Sequence, residues 1–397
     1  GWLLILIGQS NLFDTLPVDF FIPEGFSFLV LYGLPHIATG RAALLIGFVL
    51  LFLTLQKNDF RFAILAGVCW NIVGLMVSFY LAILYVLLGV WGLVLWIRHR
   101  RFPLRYTLFG GIAAGLTAPL FLYNAWLFME NDAFAQWSRQ NYLPSPHPLH
   151  YVIGYGVLAL FAIPGACYAW KRAKSRDGEP YALLVGWVVI APFMVYLPLN
   201  VQRRFSEGIL IPLAVLAVMG MKLSVRPLRN GVRSYRRRFV QTRRIVLALL
   251  LPSAVFFWLI TFLGVLSPSC VEDSCAYRPQ AELDALDWLA EIADKNTVVM
   301  GTERTGNYLP IRTDLRPFLG HGPETLYSAD RREQVKLFFR GELSSNERER
   351  LLTEAGVQYV MFGQLERDLN DDPSVWNSGM SVIYDQNGYL IYEVERP

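Results

Sequence analysis

Residues 62–105 read FAILAGVCWNIVGLMVSFYLAILYVLLGVWGLVLWIRHRRFPLR, and this stretch decides the fold. Positions 62–97 run for 36 residues without a charged side chain. One bilayer crossing takes about 20 apolar residues. The run is therefore too long for one span and fits two short helices that turn near Ser78 and Phe79. Arg98, Arg100, Arg101 and Arg105 close it. Basic loops stay on the cytoplasmic side of a membrane protein. The preceding basic loop holds Lys57 and Arg61. An even number of crossings must separate the two loops, which supports the split.

The same pattern extends along the chain. Of 23 Lys and Arg residues before position 267, 19 fall in four loops, 57–61, 98–105, 171–176 and 222–244, and these loops take every second turn. The spans expected are 37–56, 62–78, 80–97, 104–127, 150–170, 181–198, 208–222 and 245–266. Gly1–Ile7 adds an apolar run too short to cross, with no charged segment of a signal peptide before it, and reads as a chain cut inside a helix. Residues 1–266 carry 23 basic and nine acidic groups, whereas residues 267–397 carry 13 basic and 23 acidic groups. A hydrophobic share of 54% and a mean hydropathy of +0.35 exceed those of ordinary soluble chains. The fold class expected is a polytopic α-helical membrane region over 1–266, about eight spans plus a partial first one. A linker over 267–280 and a small extracytoplasmic α/β domain over 281–397 follow. The basic surplus is explained by orientation, and no nucleic-acid motif accompanies it.

The loops on the other side have a different texture. PVDFFIPEGF (17–26) and MENDAFAQWSRQNYLPSPHPLH (129–150) are rich in Pro, Asn, Asp and aromatics, as expected near headgroups. Segment 26–35 is too short to cross and suits an interfacial helix. Cys69 and Cys167 fall in spans as small packers. Cys270 and Cys275, just beyond the last span, could close a small loop in an oxidising exterior. In the acidic part, ELDALDWLAEIA (282–293) has helical spacing. Residues 298–300, 316–320 and 357–363 read as strands, and 328–340 and 344–355 as helices, with Ser344 and Glu347 forming a capping box. MSVIYDQNGYLIYEV (380–394) is a hairpin turning at Asn387-Gly388. No phosphate loop or dinucleotide fingerprint is present.

Candidate chemistry lies in the residues that break the charge pattern. Arg41, Arg139, Arg203 and Arg204 are basic on the side where topology does not call for them. A guanidinium matches phosphate oxygens with two parallel hydrogen bonds, so Arg203 and Arg204 could bind a lipid phosphate, or face ordinary headgroups or the acidic domain. Asp14, Asp19, Glu24, Glu130 and Asp132 are carboxylates that could act as a base or serve as caps. His36 either meets substrate or caps a helix. Arg41 lies one and a half turns along the same helix and points elsewhere. TERTGNYLP (302–310) and GHGPET (320–325), with His321 and Glu324, read as strand-end loops that could face one crevice, or as tight turns. The histidines lack metal-ligand spacing, and Cys270 with Cys275 lacks two further zinc ligands, so no metal site is assigned. No interior Asp or Glu falls in the eight spans, which argues against a proton-coupled transporter.

Five stretches carry a family resemblance: PEGFSFLVLYGLPHIATGRAALL (23–45), NAWLFMENDAFAQWSRQNYLPSPHPLHYVIGYG (124–156), NVQRRFSEGILIPLAVLAV (200–218), TGNYLPIRTDLRPFLGHGPETLY (305–327) and GVQYVMFGQLER (356–367). Together they resemble membrane glycosyltransferases of the GT-C superfamily, nearest to bacterial members found in filamentous anoxygenic phototrophs. The resemblance implies an exterior active site in the bacterial inner membrane and a sugar donor carried on a polyprenyl phosphate. It places Arg203 and Arg204 near that phosphate and the outer loops 9–36 and 128–149 at the donor and acceptor cleft; His36, Arg41, Arg139, His321 and Glu324 are the candidate cleft residues. The family's catalytic carboxylate normally lies in the first exterior loop. That loop is expected upstream of Gly1, with Asp14, Asp19 and Glu24 as substitutes. Cofactors are not implied with certainty, a divalent metal included. The alternative is a non-catalytic, GT-C-derived accessory subunit of a larger membrane complex, with other membrane subunits as partners.

Overall fold

The computed structural model describes residues 1–175, 177–225, 232–267 and 278–395. Contacts divide the chain into two compact units, Gly1–Asn131 with Tyr142–Leu259, and Asp132–Asn141 with Ile260–Pro397.

The first unit is a helical bundle. After α1 (Trp2–Leu6) and the short α2 (Ser27–Gly33) come α3 (Pro35–Lys57), α4 (Phe60–Met76), α5 (Tyr80–His99) and α6 (Leu104–Glu130). Beyond α7 (Asp132–Gln140), which belongs to the second unit, lie α8 (Pro148–Arg172), α9 (Glu179–Met194), α10 (Leu210–Ser224) and α11 (Val232–Val265). Six helical segments are long and apolar enough to cross a membrane, while Phe60–Met76 and Glu179–Met194 are apolar but shorter. The chain is thus a multi-pass membrane protein, with six full-length spans among the described residues where eight were expected. The split of the 36-residue apolar run is found, with α4 ending at Met76 and α5 starting at Tyr80.

Local chemistry fixes the helix ends. Asp59 accepts a hydrogen bond from the Arg61 amide at 2.9 Å and caps α4. Asn58 and Arg100 close α3 and α5 in the left-handed conformation. Glycines set the spacing where α8 runs along α10. A Cβ on Gly165 would run into the Leu216 carbonyl, and one on Gly220 into that of Phe161. Small residues let backbones approach where lipid removes the hydrophobic drive between helices. Trp70, Trp91, Trp187 and Phe48 form the aromatic centre of the bundle. Leu122, Val152, Leu160 and Ile163 stay exposed on its outside, where acyl chains would cover them.

The second unit is an α/β sandwich. Its elements are α12 (Gln280–Ile292), β1 (Val298–Met300), α13 (Glu303–Arg312), β2 (Arg316–Pro317), α14 (Ser328–Phe339), α15 (Ser345–Ala355), β3 (Val357–Phe362), α16 (Gln364–Arg367), β4 (Met380–Gln386) and β5 (Tyr389–Val394). The sheet order is β2-β1-β3-β5-β4, with β1 parallel to both neighbours and β5 antiparallel to β3 and β4. Strand side chains alternate between faces. Met300, Val360, Phe362 and Tyr392 join Phe338, Phe339 and Trp376 in one core, while Val299, Met361 and Ile391 join Leu286 and Leu289 in the other. The capping box at Ser344 and Glu347 forms, and Gly356 ends α15 at φ 65°. TERTGNYLP is a helix, α13, and not the loop expected, because Gly306 lets it lie against the Leu319 carbonyl. Cys270 and Cys275 lie outside the described residues.

Residues 132–140, expected within a loop, form α7. Trp137 donates to Glu324 at 2.5 Å, and Gln140 donates to the carbonyls of Pro323 and Thr325 at 2.6 and 2.7 Å. The Tyr327 amide donates to the side-chain Oε1 of Gln140 at 2.9 Å. Glu324 is thereby committed to α7. His321 and Arg139 are exposed, and Arg139 bonds Gln136 one turn back.

Candidate functional site

The polar centre of the bundle is built on the loop before α10. Glu207 is fully buried. Both of its oxygens are held: Arg41 donates through Nε to one oxygen and through Nη2 at 2.8 Å to the other, which also accepts from the Tyr80 hydroxyl at 2.5 Å. A buried carboxylate needs such a partner, because desolvating an unpaired charge costs several kcal/mol. Arg41 has further work. It donates to the carbonyls of Pro23 and Glu24 at 3.2 and 2.9 Å and to the Ser27 hydroxyl at 3.1 Å. With all three nitrogens bonded inside the protein, it fixes the PEGF loop.

That loop delivers Glu24. The residue is 4% exposed, its Oε1 lies 3.7 Å from Arg204 Nε, and its Oε2 has no hydrogen-bond partner. Buried polar atoms are normally satisfied, and an idle one costs about 1–3 kcal/mol. Arg203 also interacts electrostatically with Glu24. The two arginines lie against aromatic faces, Arg203 over Phe21 and Arg204 over Phe79, each at 5.3 Å. The centre thus gathers three guanidinium groups and two carboxylates, leaving one positive charge in excess.

Backbone bonds hold the arginine loop in place. The Gly208 amide donates to the Glu24 carbonyl at 3.1 Å, and Gly208 has φ 68°, a conformation suited to glycine. The Leu143 amide donates to Asn200, and the Arg203 amide donates to Leu143. Ser145 bonds Gln202, Tyr151 and the Val195 carbonyl. Beside this loop lies a cavity of about 300 Å³, lined by Tyr151, Tyr155, Tyr196, Ser206, Ile209 and Leu213 among others. Its wall is almost wholly apolar apart from the tyrosine and serine hydroxyls. Tyr155 donates to the Gly25 carbonyl at 3.4 Å, which joins the cavity wall to the Glu24 loop.

The remaining candidates fall elsewhere. Asp14 is exposed. Asp19 is buried and accepts from Ser253 at 2.5 Å. His36 is exposed in the first turn of α3, on a different side from the buried Arg41. His147 caps α8 by accepting from the Leu149 amide, and the buried His150 bonds Thr15 and the Leu12 carbonyl. Among the described residues, no group of three or more His, Cys, Asp or Glu side chains could hold a metal ion. Of the residues singled out in the sequence, the structure brings together Glu24, Arg41, Arg203 and Arg204. Glu207, Tyr80 and Tyr151 were missed. The signal for Glu207 was its place directly before an apolar span, where a carboxylate must find a cation.

No protein-family model matches the chain, and no curated protein matches its sequence. Solved structures do match. The archaeal oligosaccharyltransferase AglB from Archaeoglobus fulgidus, in complex with an inhibitory peptide and a dolichol-phosphate, superposes with a TM-score of 0.50 at 13% identity. The match covers 90% of this chain and 56% of that one, so this chain spans little more than half of its length. Oligosaccharyltransferase structures from the same organism in the apo form, and tethered to an acceptor peptide, give TM-scores of 0.46 and 0.43 at 13% and 14% identity. They cover 98% and 86% of this chain and 66% and 53% of theirs. The fold of this chain is similar to that of AglB.

Proposed function

We propose that the chain acts as a membrane glycosyltransferase on a sugar linked to a polyprenyl phosphate. The observation that carries the reading is Glu24, a buried carboxylate with one unpartnered oxygen, set against Arg204 and beside an apolar cavity. Arg203 and Arg204 would bind the phosphate through charge-assisted hydrogen bonds, for which the surplus positive charge of the centre is suited. The apolar cavity would take the first isoprenoid unit. The AglB structure was solved with a dolichol-phosphate, a lipid of the same chemical type.

The chemistry follows as a direct displacement. An acceptor hydroxyl or amide attacks the anomeric carbon, and the bond from that carbon to the phosphate oxygen breaks. The arginines stabilise the negative charge that develops on the leaving phosphate. The acceptor's proton goes to a carboxylate, and the idle oxygen of Glu24 is our candidate for it. Arg41 and Glu207 would act as positioning residues, since Arg41 holds the loop that carries Glu24. We place the site on the extracytoplasmic face of a bacterial inner membrane, opposite the basic loops.

Retention of radiolabelled polyprenyl monophosphate by the purified full chain tests the reading. Arg203→Ala with Arg204→Ala should lower retention at least tenfold, while Glu24→Gln should retain the lipid and lose release of polyprenyl phosphate from membrane lipid-linked sugars. Unchanged retention in the double arginine variant would remove the pair from the mechanism.

A further inference from the structure

A second site lies far from the Glu24 centre. Between α5 and α6 runs an apolar groove of about 450 Å³, floored by Gly89, Gly92, Gly110 and Gly111 and flanked by Trp96 and Tyr106. It continues into a second cavity of about 360 Å³ that shares Phe102, Pro103 and Tyr106 with it. The character changes at this point. The second cavity is lined by His99, Arg101 and Arg105, with Glu179 as its acidic member. Arg105 donates to the Leu55 carbonyl at 2.7 Å, and Arg101 is exposed with no bonded partner among the described residues. Tyr80, which bonds Glu207, starts the helix that His99 ends. At 1.5 Å per residue the two ends are about 28 Å apart along α5.

We propose that this continuous groove binds an anionic glycerophospholipid. One acyl chain lies on the glycine floor, and the phosphate is held by Arg101 and Arg105. Two observations fix the occupant. The apolar half is open at Gly89 and Gly111, which are exposed and where a Cβ would meet nothing within 4 Å, and the surface there faces hydrocarbon. The mouth supplies two guanidinium groups at a helix end, where headgroups sit, and basic pockets between spans suit anionic headgroups. Against the single carboxylate of Glu179 the two guanidinium groups leave one positive charge, which a lipid of net negative charge balances and a net-neutral one does not, and a free phosphate would leave the groove unfilled. The inference stands apart from the glycosyltransferase reading and uses none of its residues.

Two substitutions probe the two halves separately. A Cβ at Gly111 meets nothing within 4 Å, so Gly111→Leu can fill the groove without moving its walls. Arg101→Ala removes a charge that has no bonded partner among the described residues. The full chain in dodecylmaltoside micelles would be titrated with phosphatidylglycerol or phosphatidylcholine, and with glycerol 3-phosphate, while bound lipid is counted by native mass spectrometry. The wild type should retain phosphatidylglycerol in preference to phosphatidylcholine, and glycerol 3-phosphate should not displace it. Arg101→Ala should bind phosphatidylglycerol about fivefold more weakly, and Gly111→Leu should lose the preference while retaining the wild-type unfolding temperature. Equal binding of both lipids, displacement by glycerol 3-phosphate, or unaltered retention in both variants would overturn the proposal.

Discussion

Arg41 and Glu207 offer a sharp test of how the polar centre is held together. Arg41→Met would leave a fully buried carboxylate with only the Tyr80 hydroxyl for a partner, and Glu207→Leu would leave a buried guanidinium without a counter-charge. Breaking a buried pair from one side costs about 3–5 kcal/mol. Two independent losses would sum to about 6–10 kcal/mol. Removing both partners leaves neither of these two charges unpaired in the core. What remains is one lost bond each for the Pro23 and Glu24 carbonyls, the Ser27 hydroxyl and the Tyr80 hydroxyl. At about 0.5–1 kcal/mol each, that is about 2–4 kcal/mol. The double variant should therefore lose less than the two single ones summed, with a coupling of about 2–8 kcal/mol. The assay is unfolding of the full chain in mixed micelles by added SDS, followed by tryptophan fluorescence. Amide exchange over residues 23–27 provides a local readout, because Arg41 is the anchor of that loop. A coupling under about 1 kcal/mol would show that the two side chains do not depend on each other, and the positioning role of Arg41 would fall with it.

Two further outcomes are expected. Burial pushes the Glu282 carboxyl above its ordinary value of 4.5, against the opposing pull of Arg278. A raised acid favours the protonated folded state, so its contribution is fully present below pH 4.5 and is lost as pH rises through the raised value. Amide exchange over α12 should quicken across that window, and Glu282→Gln should flatten the dependence; an unchanged slope in that variant would assign it to another group. Gln140→Ala removes three hydrogen bonds between α7 and the 320–327 segment. At about 1 kcal/mol each, exchange across 132–140 should quicken at least tenfold. Exchange at the wild-type rate would mean that these bonds do not hold α7.

The charge pattern and apolar runs were enough to place the bundle helices, because lipid imposes length and composition on any segment that crosses it. The break between α4 and α5 was read from length alone, and β1, α14, α15, β3 and the hairpin from period, caps and turn chemistry. Helix α7 escaped because its amphipathic pattern covers only nine residues inside a segment rich in Pro and Asn. Two of the expected spans proved shorter than a full crossing, since Val77 interrupts the first and Pro192 lies near the end of the second.

Arg203 and Arg204 stood out because they violate a one-dimensional rule about charge and sidedness. Glu207 did not, because its partner Arg41 lies 166 positions away and no local pattern links them. The same holds for Glu24. Its sequence neighbours are those of an ordinary loop carboxylate, and only the packed bundle buries it against Arg204 with one oxygen unpaired. The sequence by itself determined which segments enter the membrane, since that depends on the solvation of each segment alone. Which charges meet inside the bundle was left to the tertiary structure, because a buried ion is stabilised by partners that only folding brings within reach.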